Sequence, residues 1–150
     1  MQRHLIALAC VIGICVLGPS SAISAASAAT AVTVYKSTTC ECCTNYVHYL
    51  EKNGFAVKAI NKDDMDAIKK RYGTARAASC HTALINGYVV EGHVPARAIR
   101  RLLREKPAIA GISAPGMPQH SPGMGEEKPG TLTIYAIPKG NSELTVFSIE

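Results

Sequence analysis

Between Ser37 and Leu50 the chain reads STTCECCTNYVHYL, which places three cysteines in four residues: Cys40, Cys42 and Cys43. Cys40 and Cys43 have the C-x-x-C spacing of a redox dithiol. With Cys42 included, the same residues form a C-x-C-C cluster suited to a soft metal. Both chemistries need thiolate, and an amphipathic segment begins at once after the cysteines. At the start of a helix, unpaired N–H groups and the positive end of the dipole favour the ionised sulfur. Cys42 separates the two readings. An exchange enzyme needs one attacking and one resolving thiol, and a third would compete with them. A Cu(I) site gains from every additional soft ligand. Adjacent Cys42 and Cys43 are poor partners for each other, because a vicinal disulfide strains its peptide.

The elements around this stretch can be read from pattern and punctuation. Ala31–Lys36 alternates and is β-branched, which predicts a strand. A helix is expected from Cys43 to about Asn53, with Cys43, Val47 and Leu50 on one face and Gly54 as its stop. Phe55–Asn61 reads as a second strand. Asp63 or Asp64 is expected to cap a second helix that buries Met65, Ile68 and Tyr72 and ends at Gly73. Thr82–Ile85 and Tyr88–Glu91 read as strands joined by Asn86-Gly87, a hairpin signal. Pro95 suits the first turn of a third helix with Ile99, Leu102 and Leu103 as its apolar stripe, limited by Pro107. Residues 108–130 are rich in Gly and Pro and are expected to lack regular structure. A C-terminal hairpin follows, Thr131–Ile137 and Glu143–Ile149.

The order β-α-β-α-β-β-α, with C-x-x-C at the first strand-to-helix junction, is that of an α/β thioredoxin-like mixed sheet with flanking helices. Strand-helix-strand alternation predicts parallel pairing of the first two strands, and the Asn86-Gly87 hairpin is expected to add an antiparallel edge. Such folds usually hold a cis-proline beside the C-x-x-C as the chain enters the third strand. Counting back from Asn86-Gly87, that place falls at His81, preceded by Cys80. Cys80 and His81 are therefore expected to face the cysteine cluster, so that four thiols and an imidazole converge.

The N-terminus bounds the compartment. Arg3 and His4 precede an apolar run, Leu5–Leu17, and A-x-A patterns end the segment near Ala31. Residues 1–30 are expected to be a signal peptide, cleaved at about 28–31, leaving 31–150 as the exported domain. The apolar run is shorter than the roughly 20 residues that span a bilayer, so contact with a membrane is expected only through an uncleaved signal. Cys10 and Cys15 leave with it. The formal charge of +5 loses only Arg3 and falls to +4. The basic residues cluster at helix ends and on polar faces, as with Lys69, Lys70 and Arg71, and read as solvated. Few aromatics are interleaved with them, so no nucleic-acid surface is expected. Export also places free thiols in an oxidising compartment, where they need redox cycling or a metal to persist.

Other donors have two readings each. His81 is a ligand or a loop-positioning group, and His93 is a ligand or a cap for the third helix. Met117, His120 and Met124, on the Gly/Pro-rich segment, either contact Cu(I) or silver directly or belong to a lid that covers the core. His48 reads as surface, and Tyr35 and Tyr46 as packing.

Three segments, VYKSTTCECCTNYVHYLEKNGF, SCHTALINGYVVEGHVPARAIRRLLREKPAIAGISAPGMP and SPGM, resemble the CopG-like proteins. These are exported thioredoxin-like metal-binding proteins linked to bacterial copper and silver resistance. The resemblance runs from about Val32 to Met124. It implies that Cys40, Cys42, Cys43 and Cys80 bind copper, with bridging thiolates if more than one ion is held. Glu41 departs from the family form, which has Gly between the first two motif cysteines. The expectation is a periplasmic Cu(I) or Ag(I) binding protein serving metal resistance, with zinc as a further candidate ion. Its partners would be copper ions and periplasmic copper-handling proteins or an efflux system. The alternatives are a thiol-disulfide oxidoreductase using Cys40 and Cys43 as its catalytic pair, and a disulfide-stapled binding module without metal.

Overall fold

The computed structural model describes residues 28–150. The signal-peptide expectation lies almost wholly outside them. Seven strands form one mixed sheet: β1 (Thr30–Lys36), β2 (Phe55–Asn61), β3 (Thr82–Ile85), β4 (Tyr88–Glu91), β5 (Gly111–Ser113), β6 (Thr133–Ile137) and β7 (Thr145–Ile149). The helices are α1 (Glu41–Lys52), α2 (Met65–Tyr72) and α3 (Ala96–Glu105), with a short 3-10 turn at Ala75–Ala77. The strand order is β2-β1-β3-β4-β5-β6-β7. β1 and β2 pair in parallel, as the crossover through α1 requires.

Each element has a local cause. Along β1, Val32, Val34 and Lys36 face inward and alternate with more exposed neighbours. The Asp64 side chain accepts a hydrogen bond from the Ala67 N–H at 2.8 Å and caps α2. Gly73, at φ 71°, closes that helix in the left-handed conformation. Asn86 and Gly87 both have positive φ, 46° and 82°, as a tight hairpin turn between β3 and β4 demands.

Four expectations are corrected. The β3–β4 hairpin is central, because β1 flanks β3 and β5 flanks β4. The edge strands are β2 and β7. Residues 108–130 contain a strand, β5, which pairs in parallel with β4 through Val89, Val90 and Glu91. Three residues with no alternation of their own gave no periodic signal, and their pairing depends on neighbours distant in sequence. Helix α1 begins at Glu41, two residues before the expected start, with Cys40 as its N-cap residue. Pro95 is likewise the N-cap residue of α3, one position outside its first turn.

The core lies on one face of the sheet. Tyr46, Val47 and Leu50 of α1 and Ala98, Ile99 and Leu102 of α3 pack over Val32, Val34, Ala83, Val90, Ile112 and Ile134. Leu103 is only half-buried at the margin. On the other face of β1, Tyr35 stacks on Tyr72 of α2, with ring centroids 5.7 Å apart. The final hairpin extends this sheet, because β6 pairs with β5 as well as with β7.

Candidate metal centre

The site stands where β1 hands over to α1. Cys40 has an extended backbone and accepts the first helical hydrogen bond, from the Thr44 N–H to its carbonyl at 3.2 Å. Among the described residues no side chain caps the helix at Cys40, so the first-turn N–H groups of the helix that carries Cys42 and Cys43 are left without a side-chain acceptor there. Cys43 points into the core and is fully buried. Cys40, Cys42 and Cys80 are half-buried.

Cys40 and Cys43 are joined by a disulfide, while Cys42 and Cys80 are free thiols. The Sγ of Cys42 lies 3.5 Å from that of Cys40 and 4.0 Å from that of Cys80. All four sulfur atoms fall within 4.8 Å of one another. Cys80, from the approach to β3, thus completes the cluster that begins in α1. Burial pushes the Cys80 thiol up to about 11, and neighbouring Cys42 adds to the shift. Cys80 is therefore protonated at neutral pH, and a metal that binds it must displace a proton.

His81 and His93 lie outside the group of four clustered sulfurs and pack against each other and Tyr46. Both are fully buried. The His81 ring lies 4.4 Å from Tyr46 and 4.8 Å from His93, measured between centroids. Among the described residues, neither nitrogen of His81 has a hydrogen-bond partner, nor has Nε2 of His93. His93 does not cap α3. Its Nδ1 faces the Pro122 carbonyl at 2.8 Å. Burial holds the His81 imidazolium well below the usual histidine range, and His93 and Lys69 push it further the same way. Burial also lowers His93. Both rings are neutral at pH 7, with lone pairs available.

The segment carrying Met117, His120 and Met124 crosses α1 at Gly123. That glycine has φ 81°, and a Cβ there would stand 2.8 Å from the Tyr46 nitrogen and 2.9 Å from the Cys42 carbonyl oxygen. The segment thus lies directly on the first turns of the cysteine-bearing helix. Met124 is half-buried beside this contact, Met117 is 65% exposed, and His120 is exposed with Nδ1 3.3 Å from the Glu126 carbonyl. His48 is on the surface, 3.2 Å from Glu51. Tyr46 is buried and donates its hydroxyl proton to the Val94 carbonyl at 2.8 Å.

One pair of residues escaped the sequence reading. Lys69 belongs to no solvated face: it is buried, with Nζ 3.0 Å from Oε1 of fully buried Glu91. The contact is one of charges without the alignment of a directed hydrogen bond. Lys69 looks like an ordinary helix-end cation and Glu91 like the polar end of a strand, so their spacing carries no signal.

Residues 77–124, from the 3-10 turn through Cys80 to Met124, match a family described as "Protein of unknown function, DUF411". No curated protein matches the chain. Two solved structures, copper resistance protein CopG in form 1 and in form 2, each align at 35% identity. Each alignment covers 81% of this chain and 98% of the solved one, with a TM-score of 0.73. This chain belongs to the CopG-like family. Membership agrees with the mixed sheet, and the C-x-C-C segment of this chain supplies three of the four clustered sulfurs.

Proposed function

We propose that the chain is a periplasmic copper-binding protein that holds Cu(I) through Cys40, Cys42, Cys43 and Cys80 and serves copper resistance. The observation that carries this reading is the approach of four cysteine sulfurs within 4.8 Å. A wholly sulfur donor set is soft and selects Cu(I) or silver over harder ions. The likeness to copper resistance proteins supports the same assignment. The disulfide sets the capacity of the site. Two electrons and two protons open Cys40–Cys43 to two thiols, so the reduced chain offers four sulfur ligands and the oxidised chain offers the Cys42 and Cys80 thiols.

The neutral imidazoles of His81 and His93, and Met124 at the lid contact, would be further donors beyond the four sulfurs. Met117 and His120 lie on the exposed part of the same segment. Copper passed on to periplasmic copper-handling proteins or an efflux system would leave by this lid side.

The test is a competition titration of the reduced chain with Cu(I) against a chelator. Cys42→Ser and Cys80→Ser should each weaken binding by at least tenfold. Affinity unchanged in both variants would remove the cluster from the account. A second reading, thiol-disulfide exchange, draws on one observation: a Cys40–Cys43 disulfide at a helix start with Cys43 buried and Cys40 accessible. Reduction of insulin that needs Cys40 and Cys43 and is indifferent to Cys42 and Cys80 would favour that reading over copper binding.

A further inference from the structure

Cys80 reaches the cluster from a loop, and loops hold a sulfur in place only if something fixes them. The segment Ala78–His81 joins the 3-10 turn to β3, and Ser79 within it pairs with Gly116 in a single parallel β-bridge. One side chain is bonded on both sides of the Cys80-His81 pair. Glu91, the last residue of β4, stands opposite Thr82 in the β3–β4 register. Its Oε1 accepts a hydrogen bond from the Ser79 N–H at 2.8 Å. Its Oε2 accepts one from the Thr82 hydroxyl at 2.6 Å. The carboxylate therefore spans the Cys80-His81 pair and is bonded to the residue on each side of it. Lys69 of α2 supplies the counter-charge at 3.0 Å.

Three further bonds hold the segment, the first from the Gly116 N–H to the Ala78 carbonyl at 3.0 Å. The Gly92 N–H donates to the His81 carbonyl at 2.9 Å, and the Ser79 hydroxyl donates to the Gly116 carbonyl at 2.5 Å. These tie Ala78, Ser79 and His81 to their neighbours, and the Glu91 carboxylate adds a charge-assisted bond on each flank of the Cys80-His81 pair. A fully buried carboxylate is costly to desolvate, and an ion pair in such a place is frequently replaceable by apolar residues without loss of stability. Glu91 is thus poorly explained by stability alone, whereas two charge-assisted hydrogen bonds around a reactive thiol fix geometry.

We infer that Glu91, with Lys69 as its counter-ion, is a positioning residue that sets the reach of Cys80 to Cys42. The consequence for copper rests on the four-thiol reading above; the positioning itself does not. Without the strap, Cys80 no longer dwells 4.0 Å from Cys42, and the site falls to the three cysteines of α1 and its N-cap.

The experiment reads thiol proximity without copper. The full chain is equilibrated in reduced and oxidised glutathione, and the Cys42–Cys80 disulfide is quantified by differential alkylation and peptide mapping. Two double variants remove the buried charges together. Lys69→Met with Glu91→Gln keeps an amide that bridges Ser79 and Thr82, and the equilibrium constant should stay within threefold of the parent. Lys69→Met with Glu91→Leu removes the bridge, and the constant should fall at least tenfold. Thr82→Val, a shape-conserving change, cuts one arm and should lower it two- to fivefold even if the Leu variant does not fold. Ile134→Val in the core serves as a control for general loosening. The inference is overturned if the Leu variant and Thr82→Val both match the parent, or if Ile134→Val lowers the constant as much as they do. Cu(I) titration of the same variants separates the two claims. A parent that binds no Cu(I) sinks the copper reading while the thiol equilibrium still decides the role of Glu91.

Discussion

Acidification is the perturbation whose size follows most directly from the buried histidines. His81 and His93 are fully buried, and burial depresses both below the ordinary value of 6.5. The unfolded chain takes up protons on these rings as pH falls through about 6.5, while the folded chain resists. Stability is therefore fully present above 6.5 and is lost as pH falls below it. A histidine that stays neutral throughout costs about 1.2 kcal/mol between pH 7 and pH 5.5 by this linkage. His81 should approach that figure, since both its nitrogens lack partners and His93 and Lys69 lie near it. His93 should cost less, because the Pro122 carbonyl can accept a proton-bearing Nδ1. Together they amount to about 2 kcal/mol, a large share of a typical folding free energy of about 5–15 kcal/mol. In urea melts at constant ionic strength the midpoint should drop by about 1 M over this range. His81→Phe should remove about half of the drop. An unchanged pH slope in that variant, or a folded-state His81 ring that titrates near 6.5 by NMR, would refute the reasoning.

Other outcomes follow from the same geometry. Gly123→Ala places a Cβ at positive φ against two backbone atoms that cannot yield; it should cost about 2–4 kcal/mol or lift the lid, and alkylation of Cys42 should then accelerate, as timed mass spectrometry would show. Because the Cys80 thiol is raised to about 11, Cu(I) affinity should rise with pH across 6 to 9, and Cys80→Ser should lower the slope of log affinity by about one proton's worth. Tyr46→Phe removes the proton that the Val94 carbonyl accepts and should destabilise the fold by about 1–2 kcal/mol in denaturant melts.

The legible parts of this molecule are those whose signal is local. Asp64 and Gly73 bound α2 because a cap acceptor and a left-handed glycine act within one turn of their own residue. Asn86-Gly87 fixed the β3–β4 hairpin for the same reason, and from it the position of Cys80 opposite the C-x-C-C motif could be counted. What the sequence did not disclose depends on contacts between distant segments. Strand β5 exists because β4 and β6 flank it, and the central place of the β3–β4 hairpin follows from that same addition. Glu91 and Lys69 carry no pattern, since a single buried pair has no period. The burial of His93 against the lid was hidden too, because Pro122 reaches it from twenty-nine residues away.

The central claim is that the four cysteine sulfurs share the ion. The most direct test is copper-edge X-ray absorption on the reduced chain loaded with Cu(I), compared with Cys80→Ser. The account predicts a first shell dominated by sulfur in the parent, with one sulfur fewer per site in the variant. A first shell of nitrogen or oxygen in the parent, or an identical sulfur shell in the two proteins, would contradict it.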